Sequence, residues 1–185
     1  MASKIDMASN ALLLLGDRPI SSFEGAGAGA QAMANLYEPT YLDMITSSNW
    51  GFAKKQQVLS QNATPPVFDN YQYSYTIPND AIRIHGLRSN MEYYTYEGDL
   101  IYTNDSGAQL EFFIRPSEGD LPPYFVKLME LELAARACMA VTDRVELYAQ
   151  MRNEADNQWI RAVGVDAGND TNEAIRSNPF IEVRG

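Results

Sequence analysis

Cysteine and histidine are nearly absent from this 185-residue chain, which has one of each, Cys138 and His85. One cysteine excludes an internal disulfide and fits a chain made in a reducing compartment. Cys138 lies among apolar residues of helical spacing, where a thiolate is disfavoured, so it reads as a small buried hydrophobe. A lone histidine excludes a histidine-rich metal centre. A Ser-His-Asp triad would have to use His85, and no G-x-S-x-G elbow is present. Long apolar runs are missing too. The longest runs, Ala11–Leu15 among them, are five residues, against about 20 for a membrane helix. The first residues lack the basic, apolar and small-residue order of an export signal. Basic clusters are the last absence. The net charge is −10, with 14 lysines and arginines against 24 acids. A phosphate backbone needs a cationic patch to bind, and none is visible. An acidic protein can still stand beside DNA by repelling it. No metal, cofactor or catalytic residue set is expected.

What is present is helical at both ends. In Asp120–Asp143, the residues Tyr124, Leu128, Leu131, Ala135, Cys138 and Thr142 recur at spacings of four and three, which puts them on one helix face. Phe125, Met129 and Met139 widen that stripe. Pro122 and Pro123 suit a first turn, where a missing N–H costs nothing. Ser3–Leu15 reads as an earlier helix, with an S-x-x-D cap at Ser3 and Asp6 and a stop at Gly16. Gly25–Gly29 reads as a flexible connector, because a phosphate-cradling loop needs a strand before it and G-K-[ST] after it. Ala30–Ser48 is a second helix, kinked or divided at Pro39. Asp143 and Glu146 form a D-x-x-E cap for a last helix, Arg144–Ala162.

Between these helices the period changes to two. Tyr71, Tyr73, Tyr75 and Ile77 alternate, as do Ile82 and Ile84, then Leu110, Phe112 and Ile114. Glu97–Asp99 and Asn104–Gly107 are turn signals. Five or six short antiparallel strands are expected between Phe52 and Arg115. The tyrosines here read as packing with wet hydroxyls, since no basic residues interleave them as in a base-stacking platform. Glu111, Glu118 and Asp120 could be imagined as a glycosidase couple, but their spacing points to solvated positions. Gly164–Gly185 is rich in Gly, Asn and Asp, with a net charge of −2. It cannot form its own core, and its SNPFIEVRG ending has the mix of apolar and arginine residues seen in segments ordered by a partner. The fold class is α+β: an antiparallel four-helix layer (1–49 plus 119–163), an inserted small antiparallel β lobe (50–118) and an extended C-terminal arm (164–185).

Four stretches together carry a resemblance. They are KIDMASNALLLLGDRPISSFEG near the start, a tyrosine-started helix ending in Trp50–Gly51–Phe52–Ala53, DLPPYFVKLMELELAARACMAVTD, and the SNPFIEVRG ending. In this order the chain resembles the tail tubular protein A family, the head-to-tail adaptors of short-tailed bacteriophages. Where that family often has His-Pro before the tryptophan, this chain has Ser48–Asn49. The resemblance implies a structural protein forming a homo-oligomeric ring of about twelve copies, with closed symmetry, around the DNA exit channel. The ring would lie between portal protein and tail nozzle protein in the virion, away from any membrane. It implies portal contact through the arm, with Arg176, Phe180, Ile181, Val183 and Arg184 as candidates. Nozzle contact would fall on lobe loops, with Asn90, Tyr93, Tyr94, Asn104 and Asp105 as candidates. Two other readings stand beside it: a tail-associated cell-wall hydrolase, and a non-viral binding module with a partner-ordered tail.

Overall fold

A computed structural model describes residues 2–89 and 91–169. Four helices and six strands follow in the order α1 (Lys4–Leu14), α2 (Ala28–Thr46), β1 (Lys54–Val58), β2 (Tyr73–Thr76), β3 (Arg83–Leu87), β4 (Tyr93–Tyr96), β5 (Leu100–Thr103), β6 (Gln109–Phe113), α3 (Pro123–Val141) and α4 (Val145–Asn169). The protein is therefore mixed helix and sheet.

Helix α3 begins as its sequence demands. Pro122 takes the extended cap position and Pro123 opens the first turn. It packs against α1, α2 and α4. With neighbours on three sides it is buried almost all round: Glu132, Leu133, Ala134 and Ala137 are as covered as Leu128, Leu131 and Cys138 on the expected stripe. Two expected members of the stripe differ: Met139 is exposed although Ala137 and Cys138 beside it are buried, and Thr142, just past the end of α3, is only half-buried. Helix α4 runs antiparallel to α3, so Glu132 meets Arg152 while Tyr124 meets Asp166. The turn between them is made by Asp143, which sits in the left-handed region (φ 52°). That conformation is not the extended one of an N-cap, and the expected D-x-x-E cap is replaced by this turn.

The S-x-x-D cap of α1 is present in full: the Asp6 amide donates to Ser3 Oγ (3.1 Å) and the Ser3 amide to Asp6 Oδ2 (3.1 Å). Helix α2 is continuous through Pro39. Pro39 and Asn35 are both exposed, so the carbonyl that loses its partner faces water. The helix begins earlier than its apolar period does, and the expected Gly25–Gly29 connector ends inside it. Gly29 is buried where α2 crosses α1. A methyl group there would lie 2.9 Å from Leu12 Cδ2 and 2.6 Å from Asp17 Oδ2. Asp17 can swing away, whereas Leu12 is fully buried. Gly29→Ala gains helix propensity of ~1 kcal/mol but overpacks this crossing, and a net loss of about 1 kcal/mol is expected in urea unfolding. A net gain would show that α1 gives way.

The strands form two three-stranded antiparallel sheets, β1–β6–β3 and β2–β5–β4. They face each other across a small core of Leu59, Tyr75, Leu87, Ile101, Leu110 and Phe112. Strand β6 serves two cores. Its Leu110 and Phe112 point between the sheets, while Phe113 points into the helical core with Trp50, Phe125 and Ala53. Arg83 of β3 stacks 4.0 Å from the Phe113 ring and donates to the carbonyls of Thr46 and Ser48 (both 2.9 Å). It thereby satisfies carbonyl groups at the end of α2 and fastens the lobe to that helix.

Candidate functional site

The end of α4 is anchored by a buried acid. The arm was expected from Gly164, but 164–169 are the last turns of α4. Asp166, expected as one acid of a loose tail, is buried. Its carboxylate accepts from the Tyr124 hydroxyl (2.6 Å) and from the Gly51 amide (2.8 Å). Burial and the adjacent Asp166 carboxylate push the Tyr124 phenol above its ordinary range. The contact ties the last turns of α4 to the Trp50–Ala53 turn. The signal was in the sequence: Trp159, Ala162 and Asp166 continue the helix period at spacings of three and four. Two glycines masked it, yet Gly164 and Gly168 lie on the exposed side, where they cost propensity without harming packing. Arg176, Phe180, Ile181, Val183 and Arg184 fall outside the described residues, as does Asn90.

The remaining lobe candidates divide. Tyr93 points inward and packs against the core between the sheets. Asn104 is occupied within the lobe: its Oδ1 accepts the Gln72 amide (3.0 Å) and its Nδ2 donates to the Asn70 carbonyl (3.1 Å). The Asp105 carboxylate accepts from Ser89 Oγ (2.7 Å) and the Gly107 amide (3.0 Å). These two bonds hold its carboxyl below the usual aspartate range. Asn104 and Asp105 therefore shape the turn. Tyr94 alone of this group presents its ring outward, 45% exposed.

The carboxylates that could suggest hydrolysis are committed elsewhere. Glu118 accepts from Arg115 (2.8 Å) and lies 3.4 Å from the Tyr37 hydroxyl, and Arg115 also grips Glu38 through two bonds (2.7 and 2.9 Å). This cluster borders an open hollow of ≈ 480 Å³ that Ala2, Ser3 and Lys4 complete. Arginine outweighs burial at Glu118, holding its carboxyl below the ordinary range, the opposite of what a general acid needs. Glu111 sits on the β1–β6–β3 sheet, bonded to Gln56 (2.8 Å) and 3.8 Å from His85 Nε2. Among the described residues no three histidine, cysteine or acidic side chains converge as metal donors. No helix among them is long and apolar enough to cross a membrane. Cys138 is buried, with its sulfur 3.4 Å from Thr142 Oγ1.

No protein-family model matches the chain, and no curated protein matches it.

Proposed function

We propose that the chain is a structural head-to-tail adaptor of a short-tailed bacteriophage. About twelve copies would form a ring between portal protein and tail nozzle around the DNA exit channel. The observation that carries this reading is how the stretches resembling that adaptor family are used. Trp50, Phe52, Phe125 and Tyr124 of two of those stretches meet one another and Trp159 and Asp166 of α4 at one junction, so segments far apart in the chain build a single packed corner. The helices would then act as an antiparallel four-helix layer that holds the ring, the lobe as the nozzle-facing part, and the segment after Asn169 as the portal-binding arm. The role is mechanical rather than catalytic, and the protein belongs in the virion. A charge of −10 suits a channel along which DNA must slide without adhering.

The experiment is the solution mass of the purified chain, alone and with the portal protein of its own genome, followed by particle imaging. A ring of about twelve, free or only on the portal, is the expected result. A monomer indifferent to the portal ends the adaptor reading. A chain truncated after Asn169 removes Phe180, Ile181 and Val183. Burial of such side chains is worth ~1.5–3 kcal/mol each, so truncation is expected to weaken docking by at least about tenfold. Undiminished docking would place portal contact elsewhere.

A further inference from the structure

We infer that the outward face of the β2–β5–β4 sheet is a docking surface for a cationic, arginine-bearing protein segment. This does not depend on the adaptor reading. Strand alternation builds the face. Tyr94 pairs with Tyr102, and Ser74 pairs with Tyr102 from the other side, so these three share the face turned away from the core, as does Tyr96; Ser74 and Tyr102 are buried within it, Tyr96 is half-buried and Tyr94 is exposed. Tyr73, Tyr75, Tyr93 and Ile101 take the opposite side and fill the core. Phe68, from the connection before β2, lies across the outer rings, with its centroid 5.3 Å from Tyr94, 5.8 Å from Tyr96 and 6.2 Å from Tyr102. Tyr71 stacks on Tyr94 (6.4 Å) and Tyr96 on Tyr102 (5.3 Å). Phe68 is 40% exposed, and its chain neighbour Val67 and, just before β4, Met91 are exposed too. A cluster serving only to cover its own sheet would not leave its capping phenylalanine and its neighbours in water.

Charge selects the occupant. Residues 56–82 and 89–114 include all three strands of this sheet and its adjoining loops, and they contain no lysine or arginine. Asp69 adjoins Phe68, Glu92 precedes β4, and Glu97 and Asp99 make the β4–β5 turn; all four are exposed. Aromatic faces ringed by carboxylates suit a guanidinium, which stacks on rings and bonds carboxylates bidentately. Nucleic acid is repelled by the same charges. A second copy pairing face to face would bring acid against acid with no cation to offset it.

The test is an NMR titration of the full chain at low salt with a short peptide alternating arginine and leucine, and with the same peptide carrying glutamate for arginine. Two variants accompany it. Tyr94→Ala removes an exposed ring, and Glu97→Lys with Asp99→Lys reverses the turn's charge while keeping every ring. The expected result is that the arginine peptide moves the Phe68, Tyr94 and Tyr96 ring signals but not those of Trp50. Affinity should fall about fivefold in Tyr94→Ala and at least as far in the charge-reversed chain. The glutamate peptide should move nothing. The inference is overturned if the arginine peptide binds both variants undiminished, as diffuse attraction to an acidic protein would. It is also overturned if no ring signal moves, or if the free chain forms a dimer that Tyr94→Ala dissolves.

Discussion

Trp50→Ala is expected to lower the unfolding free energy by about 3–5 kcal/mol. Trp50 is fully buried, and its indole N–H donates to the Met44 carbonyl at 2.7 Å. Its ring meets Phe52 (5.8 Å), Phe125 (5.2 Å) and Trp159 (5.5 Å), the last two edge to face. One side chain thus joins the end of α2, the start of the lobe, α3 and α4. Removing it leaves a large void and an unpaired carbonyl at a point where no single element can collapse inward. Domain stabilities are about 5–15 kcal/mol, so the variant should stand close to unfolding at growth temperature. Chemical denaturation measures this, and a loss under about 1 kcal/mol would mean that the four elements are held together elsewhere. Trp50→Phe separates the contributions: it keeps most of the ring and forfeits the hydrogen bond, worth ~1 kcal/mol.

The second large effect is expected at Glu132, which is 3% exposed in the middle of α3. Its carboxylate accepts from Arg152 through two bonds (3.0 and 2.6 Å) and from Arg136 Nε (2.8 Å). Arg136 also pairs with Asp43 of α2, and Arg152 with Asp156. Burial pushes the Glu132 carboxyl up, but the two arginines outweigh it and hold it below the ordinary glutamate range. Removing one partner of a buried pair costs about 3–5 kcal/mol, and because both arginines are partly exposed and keep second partners, Glu132→Ala should cost roughly 3 kcal/mol. The sign with pH follows from the lowered pKa. Below the unfolded value of about 4.3 the unfolded chain takes up the proton first. The stabilisation is therefore fully present above that pH and is lost as pH falls through the lower folded value. Melting temperatures of the wild-type chain and Glu132→Gln should accordingly converge in acid. A gap that stays constant down to pH 3 would mean that the carboxylate charge contributes nothing.

Sequence periodicity was enough for element type in most of the chain. The period of three and four found α1, α3 and the first part of α4, and the period of two found β2, β3 and β6 of the lobe between α2 and α3, because local side-chain direction follows directly from backbone geometry. The Ser3–Asp6 cap was legible for the same reason, since it is made within one turn. The candidate site was less so. Tyr93 and Tyr94 are neighbours in sequence on opposite faces of one strand, and only the position of the second sheet decides that Tyr93 is core and Tyr94 is surface.

What the sequence determined by itself was class: an acidic α+β chain. Tertiary structure decided the rest. It decided that Gly29 is a packing position rather than a hinge, and that the buried part of α3 is wider than the expected stripe. It decided that Glu132 and Asp166, two acids of ordinary appearance, are buried anchors. The physical reason is the same in each case. Propensity and period report what a residue does to its own turn, worth a few tenths of a kcal/mol to about one. Burial and pairing report what distant elements do to that residue, and they contribute several times more.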